Sequence, residues 1–180
     1  MTRQVMRNLG LCVLLIAAAT PAGMAFAQAP SVADKEFVRK SIETNNAEIA
    51  AGHLALAQAG ANDVKQFGQT LIRDHTLLNN QMKPLAQQLD VVVAPGQVDP
   101  KDEAVANQLK DLRGQQFDQE FIAAMVQGHN QAVQDTQTEA SNGQDAKVKE
   151  AAAKGLPVIQ KHLQTAQKLA QKYKVQTGKQ

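Results

Sequence analysis

The chain has 180 residues, of which 3% are aromatic and 20% are charged, and its formal net charge is +2. A single cysteine, Cys12, excludes a disulfide framework or a zinc–cysteine site within one chain. The nearly balanced charge provides no basic face, so neither nucleic acid nor an anionic membrane surface is expected as a partner.

The first 27 residues have the composition of a secretory signal peptide. Arg3 and Arg7 precede an apolar run from Leu9 to Ala19, which is too short to span a bilayer. Ala25-Phe26-Ala27 matches a small-x-small cleavage site, which predicts cleavage after Ala27 and export to the periplasm. The remaining chain would keep 17 of the 19 basic residues against 17 acidic ones, and it has no second apolar span to serve as a membrane anchor.

Helical periodicity begins after residues 28–33, which are predicted to be a flexible N-terminus. The apolar spacing predicts a first helix over Asp34–Ala59 and a second over Asp63–Leu89. Gly60 is expected to take a left-handed conformation at the end of the first helix, and Asn62 is expected to cap the second.

A connector of turn-forming residues follows and carries a short helix, predicted over Lys101–Arg113 because Asp99-Pro100 suits a helix start. Asp118 is placed to cap the next long helix, which is predicted to reach Ala140. The last helix is predicted over Asp145–Tyr173.

A helix hairpin is repeated in the sequence at a shift of 84 positions. Glu36-Phe37-Val38 recurs as Glu120-Phe121-Ile122, and Asn46 matches Asn130 at the same shift. Two hairpins joined by a long crossover are the plan of a ferritin-like four-helix bundle. We therefore predict an all-α bundle over residues 34–174, with the short extra helix in the crossover and a frayed tail at 175–180. A simple helical array without a crossover is the alternative.

Polar residues on the apolar helix faces form a candidate metal site. His75, His129 and His162 lie on core stripes of three different helices, and Glu48 lies on a polar seam of the first helix. Imidazole is a common ligand of zinc, copper and iron, and a carboxylate can complete the ligand set. The four residues could thus hold one divalent or iron-type ion. The alternative is that they are core residues that hydrogen-bond to one another or to water.

The ligand pattern of a conventional di-iron centre is absent. Such bundles need Glu-x-x-His twice, and no acidic residue of the predicted mature chain has a histidine three positions later. Asp74 beside His75 points about 100° away on a helix, which indicates a solvated or salt-bridging residue. Without a phosphate-cradling glycine loop or a nucleophile in a strand–turn–helix setting, no catalytic residue is assigned and an enzyme is disfavoured.

Several short motifs together resemble the domain-of-unknown-function family 4142. They are Asn45-x-x-Glu48, Arg73-Asp74-His75, Phe117-Asp118, His129, Leu156-Pro157 and Lys161-His162-Leu163. That family comprises exported bacterial proteins, often described as outer-membrane or secreted, and is grouped with the ferritin-like superfamily. The resemblance covers residues 34–173 and implies a four-helix bundle in the periplasm. It marks Glu48, Asp74, His75, His129 and His162 by position, but it implies no reaction, cofactor or partner.

Two functions are therefore expected from the sequence. The first is a non-catalytic exported protein of the cell envelope, with a binding or structural role in stress tolerance. The second is a metal-binding ferritin-like protein for redox chemistry or storage, with its His/Glu site inside the bundle. Self-association is open, because a bundle of neutral net charge can pair with a second copy.

Overall fold

The computed structural model describes residues 30–177, which form five helices. Their bounds are α1 Val32–Gln58, α2 Asn62–Gln88, α3 Pro100–Leu109, α4 Gly114–Asn142 and α5 Ala146–Tyr173. The described residues form no strand beyond an isolated bridge between Ala59 and Gly114. The predicted all-α bundle of four long helices, with a short extra helix in the crossover, is confirmed. The predicted signal peptide lies outside the described residues.

The four long helices pack so that each is antiparallel to both of its neighbours. Helices α1 and α2 form one hairpin and α4 and α5 the other, with α1 beside α4 and α2 beside α5. Lys172, near the end of α5, pairs at 2.6 Å with Asp63 at the start of α2. Lys147, at the start of α5, donates to Gln88 at the end of α2. The crossover with α3 therefore runs the length of the bundle, as the ferritin-like plan requires. None of these helices combines the length and apolar character needed to cross a bilayer.

Two buried aspartates close the hairpin turns, each from the opposite hairpin. Asp118 of α4 accepts hydrogen bonds from the backbone N–H groups of Gly60 and Ala61 at 3.1 and 3.0 Å. Asp34 of α1 accepts from the N–H groups of Gln144 and Asp145 at 2.9 and 3.3 Å. Asp34 and Asp118 are 84 positions apart in the sequence. The N–H groups that donate to them are separated by the same 84 positions. The repeat seen in the sequence is thus a pseudo-twofold symmetry of the bundle.

These contacts correct three predictions at the helix ends. Asp118 does not cap α4, which begins at Gly114, four residues earlier. Asn62 does not cap α2, because Ala61 is the N-cap residue and makes no side-chain capping bond. Gly60 is not left-handed. Its missing side chain instead makes room for the other hairpin, since a Cβ at Gly60 would lie 3.0 Å from the Cα of Gly114.

The start of α1, the residues after α5 and the end of α3 also differ from the sequence-based expectations. Helix α1 begins at Val32, inside the segment predicted to be flexible, because Ser31 and Asp34 form a capping box. At the other end, the Val175 N–H donates to the carbonyl of Ala170 at 2.9 Å, and the Val175 side chain packs against the core. The crossover helix α3 ends at Leu109, four residues before its predicted end.

The apolar core is divided into two clusters with a polar layer between them. The first cluster contains Phe67, Leu71 and Phe121, and the second contains Ile42 and Met82. On α1, α2 and α5, buried polar residues lie between the residues of the two clusters, and on α4 they follow the residues of the first cluster. They include Asn45, Glu48, His75, Asn79, His129 and His162. The bundle therefore places these six polar residues in a layer that lies between the two apolar clusters.

Candidate metal centre

Three histidines from three helices meet in the polar layer. His75 of α2, His129 of α4 and His162 of α5 are each no more than 3% exposed. One ring nitrogen of each lies within 4.8 Å of the corresponding nitrogens of the other two. Their ring centroids are 5.2 to 6.0 Å apart. The structure thus brings together all three histidines that the sequence singled out.

Each imidazole is held in place by a hydrogen bond to an oxygen atom. His75 Nδ1 lies 2.8 Å from Asn45 Oδ1, and His129 Nδ1 lies 2.9 Å from the carbonyl of Met125. His162 Nε2 lies 2.9 Å from Asp74 Oδ2. Amide, carbonyl and ionised carboxylate oxygens accept hydrogen bonds and do not donate them. Each of these ring nitrogens must therefore carry the proton, which leaves the other nitrogen of a neutral ring with its lone pair.

The three lone-pair nitrogens have no hydrogen-bond partner among residues 30–177. They are His75 Nε2, His129 Nε2 and His162 Nδ1, and all three are buried. An unpaired buried acceptor costs about 1–3 kcal/mol, so three in one layer carry a considerable free-energy cost. Neutral imidazoles in this tautomeric state cannot satisfy one another, because none of the inner nitrogens has a proton to donate.

A single metal ion would fit this arrangement after a small contraction. Ligand nitrogens at about 2.0–2.1 Å from one ion lie at most about 3.5 Å from one another, so the rings would move inward by about 1 Å. Each outer hydrogen bond fixes the tautomer and the ring orientation, which is the usual support for a metal-bound histidine. The described chain therefore supplies three histidine side chains whose orientation is already fixed.

Glu48 lies beside this group rather than within it. Its Oε1 is 3.7 Å from Nδ1 of His129, the nitrogen that is already bonded to the carbonyl of Met125. Its Oε2 is buried without a hydrogen-bond partner, and burial raises the pKa of the carboxyl. The histidines form the compact ligand group without Glu48, so its direct ligation remains a prediction.

Asp74 orients His162 from the neighbouring helix. Partial burial opposes its ionisation, but hydrogen bonds from Arg73 and His162 lower the pKa of the Asp74 carboxyl overall. Asp74 also forms the expected ion pair with Arg73, at 2.7 Å. Its side chain points away from that of His75 and reaches the histidine of α5, a contact that helix geometry alone could not have revealed.

A chain of amide hydrogen bonds supports His75 from behind. Asn45 donates to Asn79 at 3.1 Å, and Asn79 donates to Asn46 at 2.9 Å. Asn46 then donates to the carbonyl of Gln97 in the crossover, at 2.8 Å. This chain fixes the Asn45 oxygen toward His75. Sequence reasoning missed Asn79, whose only signal was an amide one helical turn after His75 on the same buried face.

Burial favours the neutral forms of His75 and His162 near neutral pH. It lowers the pKa of His75 well below the usual 6.5, and the neighbouring His129 and His162 lower that pKa further. Burial also lowers the pKa of His162, although the hydrogen bond to Asp74 partly opposes this shift. The inner lone pairs of these two residues are thus available without the release of a proton.

Metal-free stability is expected to fall when the pH is lowered from about 7.5 to about 5. The folded pKa values of His75 and His162 lie below the unfolded ones, so below about pH 6.5 the unfolded chain binds more protons. This stabilisation is fully present above that pH and is lost as the pH falls toward the folded pKa values. Thermal melts over this range should show a smaller loss for the His75→Gln/His162→Gln variant than for the wild type.

Glu139 gives the folding stability the opposite pH dependence over the same pH range. Burial and the neighbouring Asp34 raise its pKa to about 7, so its contribution is present at low pH and is lost as the pH rises toward 7. Because Glu139 contributes equally to wild type and variant, the difference between them isolates the histidines. Parallel melting curves over the whole range would show that the histidines are not neutral and buried as described.

The comparisons with known proteins place this bundle among similar folds. A DUF305 protein of Streptomyces coelicolor, described as secreted, is 13% identical with a TM-score of 0.68, covering 82% of this chain and 96% of that one. A DUF305 fragment of Deinococcus radiodurans is 14% identical with a TM-score of 0.69, covering 79% and 98%. CopM in its Cu(I)-bound form is 20% identical with a TM-score of 0.65, covering 78% and 96%.

At these low sequence identities, the similarity to the solved structures shows the fold alone. A search of the curated proteins found no match to the chain. Comparison of the sequence with known protein families does identify a family. Residues 19–169 match the family described as a domain of unknown function, DUF4142. Since this match spans most of the sequence, the resemblance noted from the short motifs is confirmed, and the chain belongs to the DUF4142 family.

Proposed function

We propose that this protein is an exported binding protein for a single copper ion, held as Cu(I) by His75, His129 and His162. The observation that carries the proposal is the meeting of three buried histidines in one layer of the bundle, each with one ring nitrogen that has no hydrogen-bond partner among the described residues. A cation is the partner that these lone pairs lack. A cluster that served only for packing would leave all three without a partner among the described protein groups.

The charge of the site favours a monovalent ion. Burial favours the neutral forms of His75 and His162, and it also favours the neutral form of the Glu48 carboxyl. A divalent ion in this apolar layer would keep its full charge, and the cost of burying an ion rises steeply with its charge. Imidazole suits copper, and Cu(I) also accepts soft thioether ligands such as that of Met82, which lines the adjoining cavity.

Two further observations agree with this function. One protein of similar fold is CopM, which binds Cu(I), and another is described as secreted. The predicted signal peptide would deliver the chain to the periplasm, where a copper-binding protein could limit free copper. This role combines the two expectations from the sequence, because it is a binding function in the envelope and it uses the interior of the bundle.

The test is an anaerobic titration of the chain from Gln28 to Gln180 with Cu(I), in competition with a chromophoric Cu(I) chelator. We expect one ion per chain, and we expect copper to be retained when the protein is purified from its own periplasm and analysed for metals. Parallel titrations with Zn(II) and Fe(II) measure selectivity. Tighter binding of either divalent ion would contradict the Cu(I) assignment, and the absence of any stoichiometric metal would contradict the whole proposal.

A further inference from the structure

A cavity of about 310 Å³ adjoins the histidine layer. Its inner end is formed by buried residues that include Asn45, Glu48, His75 and His129. Its outer rim includes exposed residues of two neighbouring helices, among them Lys40 of α1 and Asp135 of α4. The cavity therefore connects solvent, between α1 and α4, with two of the three histidines.

The lining of the cavity is acidic. Four carboxyl groups line it: those of Glu36 and Asp135 lie toward the rim, and those of Glu48 and Glu139 are buried, with pKa values that burial raises, so the negative charge is concentrated at the rim. Lys40 is the single cationic side chain among the lining residues, and its ammonium lies 3.6 Å from the carboxylate of Glu36. A narrow passage between low-dielectric walls concentrates the field of such groups, which attracts cations and repels anions.

Other approaches to the histidines are more obstructed. On one side the ring of Phe67 lies 6.4 Å from the ring of His129 and 6.2 Å from that of His162, within an apolar cluster. Behind His162, the carboxylate of Asp74 is mostly buried and is engaged by Arg73 and His162. The cavity reaches the inner layer without displacing either this aromatic ring or this ion pair.

We propose that this cavity is the passage through which the metal cation enters the bundle, from the acidic rim past Glu48 to His75 and His129. This inference rests on the proposed metal-binding function and adds the route by which the ion reaches the histidines. Rim carboxylates raise the local concentration of the cation, and the histidines take it from the inner end. The ion exchanges the ligands that it carries for the histidine nitrogens at the inner end of the cavity.

The test compares uptake rates with equilibrium binding, using Cu(I) supplied from a chromophoric chelator in a stopped-flow instrument. Ala132 lines the cavity on α4 and is half-buried, so Ala132→Phe should obstruct the passage. Ala123→Phe is the matched control, since Ala123 is half-buried on the same helix outside the cavity. We expect the first variant to load at least about tenfold more slowly, while both bind one ion at equilibrium.

A second variant tests the negative charge of the rim and leaves the volume of the cavity nearly unchanged. Glu36→Gln/Asp135→Asn removes two rim carboxylates, and Glu103→Gln/Glu120→Gln removes two exposed ones elsewhere. The rim variant should load about tenfold more slowly at low salt, and added salt should slow the wild type toward the same rate. The control variant should load like the wild type.

The outcomes separate the route from the binding function. Uptake at the wild-type rate in both the Ala132→Phe and the rim variants, with one ion bound at equilibrium, would overturn the passage and leave the copper site intact. An absence of stoichiometric binding in the wild type would overturn both proposals. If Ala132→Phe proves unstable in thermal melts, the rim variant decides the question alone.

Discussion

Replacing His75 with glutamine is expected to weaken Cu(I) binding by at least about 100-fold, because one of three ligand nitrogens is lost. The glutamine amide can still donate to Asn45, whose oxygen is fixed by its bonds to Asn79. The metal-free protein should therefore melt close to the wild type.

The same substitution should remove most of the stabilisation that copper gives. A ligand present at about 1,000 times its dissociation constant stabilises the native state by about 4 kcal/mol, which corresponds to roughly 10 °C in melting temperature for a chain of this size. We expect this rise for the wild type and at most about a third of it for His75→Gln at the same copper concentration. Thermal melts with and without Cu(I), under anaerobic conditions, measure both.

The matched control is the fourth histidine of the described chain. His53 is exposed on α1, so His53→Gln should keep both the copper affinity and the copper-dependent rise in melting temperature. A purely structural histidine cluster would behave differently. In that case the wild type would show no copper-dependent rise, and His75→Gln would differ from it by the same amount with and without metal.

Replacing Asp118 with alanine is expected to lower the free energy of unfolding by about 3 kcal/mol. The carboxylate is 4% exposed and is the acceptor for the N–H groups of Gly60 and Ala61. Without it, two donors at the α1–α2 turn lose their partner beneath the second hairpin. The melting temperature should fall by roughly 6–12 °C, measured by calorimetry or circular dichroism.

Two further variants test this explanation. Asp118→Asn keeps one accepting oxygen, so it should lose about half as much stability as Asp118→Ala. Asp111→Ala removes an exposed aspartate of the crossover and should change the free energy of unfolding by less than about 0.5 kcal/mol. Equal effects of Asp118→Ala and Asp111→Ala would show that the carboxylate does not hold the turn.

The architecture and the three histidines were predictable because both depend on periodicity. Apolar spacing defines helices and their buried faces, and a histidine on such a face must point inward. The roles of Asp118 and Asp74 were not predictable in this way. Asp118 stands before an apolar run, which is the local signature of a helix cap, but its partners are 57 and 58 residues away along the chain.

Glu48 shows a second limit of sequence reasoning. Its place on the polar seam of α1 was correct, but a seam does not give the rotation of one helix against another. The carboxylate reaches the hydrogen-bonded side of His129 instead of its free nitrogen. A shift of this size depends on how closely the helices approach, and the helical repeat does not encode that distance.

The reciprocal bonds of Asp34 and Asp118 give the contact between the hairpins an isologous character, in which the same patch of each half binds the same patch of the other. Such a contact is what two identical chains form when they pair about a twofold axis. The protein is therefore built like a dimer of hairpins fused into one polypeptide by the α3 segment. In such a dimer neither hairpin satisfies its own turn, so each half depends on the other for a complete set of hydrogen bonds.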